Sequence, residues 1–158
     1  MNLEKKDNQK LLQLVSFKLG DEEFGIEILS VQEIIRLINI TKVPNSNSFV
    51  EGIINLRGKV IPVINIRVKL NMEKIENTHN TRIIVVDINN KTVGFIVDSV
   101  NEVLRISRNI IEAPPSITTS VDSEYITAVG KLEDKLLILL DLQKALSMKE
   151  QETVWEVL

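Results

Sequence analysis

The chain has 158 residues, 44% hydrophobic and 26% charged, with a formal net charge of −3, one histidine and no cysteine. That size and apolar content predict one packed domain, or two very small units sharing a core, rather than a disordered chain. Acids interrupt the bases throughout, which argues against a nucleic-acid partner; absent thiols remove disulfides and thiolate metal sites; and no apolar run approaches the roughly 20 residues that cross a bilayer.

Residues 1–10 are polar, lack the apolar centre of a signal peptide and read as a solvated tail, so a soluble cytoplasmic protein is the simplest account. From Leu11 the apolar runs to Leu19 and from Phe24 to Ile28, around Gly20-Asp-Glu-Glu23, predict strand, turn and strand. Ser30 followed three residues later by Glu33 fits a capping box, which predicts a helix over Ser30 to Ile38, although the stretch is β-branched enough for a strand. Asn39 to Ser48, with Pro44, reads as a loop.

Two apolar runs, Ile53-Ile54 and Val60 to Ile66, then flank Leu56-Arg57-Gly58-Lys59, a hairpin whose Gly58 supplies a positive φ at low steric cost. Arg67 to Met72 predicts a short helix, and the polar Glu73 to Thr81 reads as a junction. Ile83 to Ile88, the turn Asn89-Asn90, and Thr92 to Val97 give another hairpin. Asp141 to Leu146 predicts a helix, and Thr153 to Leu158 an apolar tail able to dock on a neighbouring face.

The second half repeats the first. A shift of 69 aligns Gly25 with Gly94, Ser30 with Ser99, Val31 with Val100, Glu33 with Glu102 and Arg36 with Arg105. A shift of 76 aligns Leu56 with Leu132, Lys59 with Lys135, and Val60–Ile64 with Leu136–Leu140; the longer loop Ser107 to Glu124, carrying Pro114-Pro115, accounts for the difference. An internal duplication follows, with units at about 11–72 and 82–147 inside one domain over 11–147, and a C-terminal tail over 148–158. Each unit offers about five short strands, a count suited to a small barrel, and units this small need each other's core.

Catalytic signatures are missing. His79, the one histidine, lies in the polar junction, where an exposed linker residue is the favoured reading over general base or metal ligand. No serine sits in a Gly-x-Ser-x-Gly elbow, no Gly-rich phosphate loop occurs, and few aromatics are present to line a carboxylate-driven glycosidase cleft. An interaction module, without cofactor or metal, is favoured over a small β-barrel enzyme using carboxylates.

Leu19-Gly-Asp-Glu-Glu-Phe-Gly-Ile-Glu-Ile28 with Val31-Gln-Glu-Ile34 resembles the opening of the CheW-like family of bacterial chemotaxis coupling proteins. Phe49-Val-Glu-Gly-Ile-Ile-Asn-Leu-Arg-Gly-Lys-Val-Ile-Pro-Val-Ile64 resembles that family's most recognisable signature, and Val93-Gly-Phe-Ile-Val-Asp98 with Val100 and Val103-Leu104 its third block. The chain departs at Asn65-Ile66, where Asp-Leu is common. The resemblance implies a mostly β protein of two packed five-stranded SH3-like β-barrels with short helices and no catalytic activity. It implies an adaptor joining the histidine kinase CheA to the cytoplasmic tip of methyl-accepting chemotaxis receptors, recruited to membrane arrays without inserting in the membrane, alongside other copies in array rings. A scaffold of a non-chemotactic sensory kinase pathway is the other reading. By similarity, Val31, Glu33, Leu56, Arg57, Val100 and Val103 form the receptor-binding surface. Glu33 and Arg57 are expected to pair, and Gly52 matches a family position. Kinase contact is expected around Asn80, Thr81, Arg82 and Ile83.

Overall fold

The computed structural model describes residues 11–114 and 125–156. The N-terminal tail, the loop beyond Pro114 up to Glu124, and the last two residues lie outside the described residues. Among the described residues eleven strands occur in chain order: β1 Leu11–Leu19, β2 Glu22–Glu27, β3 Val31–Arg36, β4 Val50–Leu56, β5 Lys59–Asn65, β6 Arg82–Ile88, β7 Lys91–Val97, β8 Ser99–Ser107, β9 Ile111–Glu112, β10 Ile126–Lys131 and β11 Leu136–Leu140. Helix α1 spans Ile66–Lys69 and helix α2 Met148–Glu156. The protein is mostly β, as the sequence predicts.

The strands form two sheets, one ordered β8-β1-β2-β11-β10-β9 and the other β3-β6-β7-β5-β4. Each half of the chain lends its first hairpin to the sheet of the other half. β1 and β2 pair with β8 and β11, while β6 and β7 pair with β3 and β5. The sheets and the sequence repeats are therefore different partitions of the chain. Registers match the two shifts: Gly25 lies opposite Leu139 and Gly94 opposite Val63, and Leu14 opposite Leu104 mirrors Ile83 opposite Ile35.

Alternation along these strands feeds two cores at once. On β6, Ile83 and Val85 enter a cluster with Ile54, Ile61, Val63 and Ile96 inside their own sheet. Ile84 and Val86 face the other way, into a central cluster shared with Phe17, Phe24 and Ile26 of the first sheet. β1 does likewise, with Leu12 and Leu14 in the first sheet's own cluster and Val15, Phe17 and Leu19 in the shared one. Phe17 and Phe24 stack there with centroids 5.7 Å apart. Burial on both faces explains why these strands read as nearly unbroken apolar runs.

Two expectations change. Val31–Arg36 is a strand rather than a helix: its β-branched residues pair with β6, and Glu33 is engaged by Arg57 instead of capping a helix start. The predicted helix over Asp141 to Leu146 is a single 3-10 turn at Leu142–Lys144, opened by Asp141, whose carboxylate accepts from the Gln143 amide at 3.0 Å. The C-terminal tail is ordered as α2 over most of its length. Ser147 and Glu150 form a reciprocal capping box, with amide-to-side-chain distances of 2.9 and 3.1 Å. Glu150 takes the Lys69 ammonium at 2.8 Å, Val154 is buried in the shared core, and Lys91 lies 5.1 Å over the Trp155 ring. The helix thus arrives from β11 in the first sheet and anchors on elements of the second.

A backbone constraint holds the second sheet's ends together. The segment leaving β3 meets β4 through paired hydrogen bonds between Thr41 and Ile53, at 2.9 and 2.8 Å. Gly52 beside them has φ +151°, and a Cβ there would stand 2.2 Å from the Thr41 carbonyl oxygen. Because backbone oxygen cannot yield as a side chain would, Gly52→Ala should cost about 2–4 kcal/mol, read as a lower urea midpoint at unchanged slope. Val154→Ala, which empties one buried site under α2, should cost about 2 kcal/mol in the same measurement.

Candidate functional site

The hairpin between β4 and β5 is a two-residue turn with φ of +52° at Arg57 and +84° at Gly58. Both central residues are left-handed, the geometry that matches strand twist, and the first place is one where Asn, Asp or Gly is the usual choice. The Asn55 side chain fastens the turn by accepting from the Gly58 amide at 2.8 Å. Arg57 is thus an unfavourable residue for its own backbone, and what it reaches is informative.

It reaches Glu33 on β3. Arg57 Nη1 donates to Glu33 Oε1 at 3.0 Å and Nη2 engages Oε2, a bidentate fork between the β4–β5 turn and the edge strand β3. The guanidinium's hydrogen bonds hold the Glu33 carboxyl below its usual range. The pair anticipated from sequence is present. A polar chain continues beside it: Lys59 Nζ donates to Thr92 Oγ1 at 2.7 Å, Thr92 donates to Asp87 at 3.1 Å, and Gln32 also donates to Asp87.

The other sequence-selected residues fall into distinct places. Leu56 packs half-buried on the second sheet's own core. Val31 and Val100 occupy equivalent positions, opposite Val86 and Phe17, and both lean half-buried on the shared core. Val103 is 52% exposed on β8, and its equivalent Ile34 on β3 is 38% exposed. Ile34 was not singled out from sequence, because its exposure depends on β3 being a strand. Val31, Glu33, Leu56 and Arg57 belong to one sheet and Val100 and Val103 to the other, with no hydrogen bond or ion pair joining the two groups among the described residues. The second unit lacks the fork: Glu102 and Glu133 stand where Glu33 and Arg57 stand in the first.

At the junction, Asn80 is exposed, whereas Thr81 is buried and accepts from the Thr78 amide at 2.8 Å. Ile83 is fully buried in the second sheet's core. Burial withdraws Thr81 and Ile83 as direct contacts and leaves Asn80 and Arg82. His79 is exposed in the same loop.

Two buried charge clusters were not legible in the sequence. Arg67 at the start of α1 donates from Nε to Asp98 Oδ1 at 2.8 Å and from Nη1 to the Glu73 carbonyl at 2.9 Å. Asp98 also accepts from the Gly20 amide at 2.7 Å, so one carboxylate ties α1, the end of β7 and the β1–β2 turn. Burial pushes the Asp98 carboxyl up, but Arg67 and Gly20 more than offset it and hold it below its ordinary value of 3.8. Inside the first sheet, Glu23 pairs with Lys135 from the β10–β11 hairpin and accepts from Ser16 and Asn101. Burial there also opposes ionisation, and the bonds from Lys135 and Ser16 win, lowering Glu23.

A carboxyl lowered in the folded state contributes stability above its ordinary value, and that contribution is lost as pH falls through the folded value. Urea midpoints should therefore hold above about pH 5 and fall as acidification passes 3.8 at Asp98. Asp98→Asn should be less stable at neutral pH and lose less on acidification; an unchanged acid limb would show that Asp98 carries none of it.

The sequence matches the family described as CheW-like domain over residues 13–150. It is 37% identical over 142 residues to a chemotaxis protein CheW of Klebsiella aerogenes, covering 90% of this chain and 86% of that one. To the chemotaxis protein CheW of Bacillus subtilis it is 31% identical over 153 residues, covering 97% and 96%. In structure it is similar to the scaffolding protein TtCheW of Thermoanaerobacter tengcongensis, with a TM-score of 0.80 and 37% identity over 88% of this chain and 94% of that one.

Proposed function

Because the chain belongs to the CheW-like domain family, we propose that it acts as a non-enzymatic chemotaxis adaptor, coupling the cytoplasmic tips of methyl-accepting receptors to the histidine kinase CheA. Receptor state then sets kinase autophosphorylation through binding alone, in the cytoplasm, at membrane arrays that also hold other copies of the adaptor.

The observation that carries this reading is the Glu33–Arg57 fork. Arg57 adopts a left-handed conformation that Gly or Asn would take with less strain, and the second unit makes the corresponding turn with Glu133 and Asp134. An exposed pair is a weak source of stability, so its value lies in fixing where the hairpin stands relative to β3. The receptor tip is a helical hairpin, and a helix binds by laying apolar side chains along an apolar surface. Val31, Leu56 and Val100 offer half-buried apolar flanks, and Val103 an exposed one. Contacts of this size are weak singly, and the array supplies the avidity.

Co-sedimentation of the purified chain with receptor-bearing membranes and kinase tests the reading. Ternary recruitment with kinase activation is the expected outcome; binding without activation indicates a scaffold for another pathway, and no binding removes the proposal. Arg57→Gly separates surface from fold: it should keep or raise the thermal midpoint, since glycine suits the turn, while weakening receptor recruitment. Undiminished recruitment would show that Arg57 is not part of the surface.

A further inference from the structure

One end of the second sheet carries a charge arrangement that the fold does not need. Arg36, the last residue of β3, and Arg82, the first of β6, are directly opposed partners in the ladder. Opposed residues hold their Cβ atoms about 4.5–5.5 Å apart, and like charges there repel. Arg82 Nη1 donates to the carbonyls of His79 and Thr81, both at 2.9 Å, so among the described residues its side chain is steadied by neutral oxygens. Arg36 is exposed, and among the described residues its side chain makes no hydrogen bond or ion pair. Arg57 and Arg67, by contrast, each face a carboxylate of this chain.

The repeat sharpens the comparison. The equivalent ladder position in the first sheet pairs Gln13 with Arg105, one cation where this end has two. The doubled charge therefore belongs to this unit and not to the architecture, and it stands out on a chain whose net charge is −3. Ile34 lies two residues before Arg36 on the same strand and is itself exposed, and Asn80 is exposed at the turn that leads into Arg82. Cations beside an exposed apolar side chain have the composition of a protein-interface rim.

We propose that Arg36 and Arg82 form a carboxylate-reading contact for an acidic surface of the kinase partner. The guanidinium fork fits carboxylates in a plane, and a partner carboxylate placed between the two arginines would relieve their mutual repulsion. This inference rests on the adaptor reading above and names the chemistry by which one partner is recognised.

The test is calorimetric titration of the full chain and its variants into the kinase at low and high ionic strength, with receptor recruitment and thermal midpoint measured in parallel. Arg36→Glu should weaken kinase association by about tenfold at low salt and flatten its salt dependence, while Arg36→Lys, which keeps the charge but not the planar fork, should lose part of the affinity and keep the salt dependence, with receptor recruitment unchanged. The double variant Arg36→Glu with Arg82→Glu should weaken it further. If Arg82→Glu disturbs the loop that it bonds, Arg36→Glu still decides, because the Arg36 side chain bonds none of the described residues. Wild-type kinase affinity in both variants overturns the inference and leaves the adaptor reading intact. Failure of the wild-type chain to bind the kinase at all overturns both.

Discussion

Everything in this fold depends on the exchange of hairpins between the two halves. β1–β2 completes the sheet of the second half and β6–β7 that of the first, through the parallel pairs β2 with β11 and β5 with β7. A half of about 60 residues would leave apolar faces of its central strands in water, and such a small core is seldom stable alone. Exchange makes each sheet's completion conditional on the other. The largest core then lies between the sheets, where Phe17 and Phe24 meet Ile84, Val86 and Phe95. The Arg67–Asp98–Gly20 cluster and helix α2 reinforce that joint from its edges.

With the core settled by exchange, the surface of each unit is free to diverge, and it has. The two hairpin tips present Arg57 in one unit and Glu133 with Asp134 in the other. The lysine after each tip is kept, and each is exposed but reaches a partner within the chain, Lys59 to Thr92 and Lys135 to Glu23. Duplicated lysines thus serve the ends of the sheets, while the residues that differ between units mark what one unit does alone. Arg57 beside the shared Glu33, and Arg82 opposite the shared Arg36, are both such differences.

The hairpins at 56–59 and 89–90 were legible because Gly and Asn allow positive φ between apolar runs. The duplication was legible because glycines and charges recur in register. The strand at Val31–Arg36 was not, because the Ser30-to-Glu33 spacing satisfies a helix start locally and only pairing with β6 decides otherwise. Nor could sequence rank the selected site residues by access. Ile83 is apolar in a strand pattern open to either face, and both of its faces turned out to be covered.

By itself the sequence determined the local geometry, meaning turns, strand periodicity, the two shifts of the repeat, and a family signature around Arg57. Those are properties of residues near one another in the chain, where backbone sterics and side-chain period act directly. Tertiary structure decided which hairpin completes which sheet, that α2 anchors on the second sheet, and which charges meet. Glu33 and Arg57 are 24 residues apart, Arg67 and Asp98 31, and Lys69 and Glu150 81. Such contacts depend on how strands of different halves are ordered side by side, and a strand's own sequence sets its faces but not its neighbours.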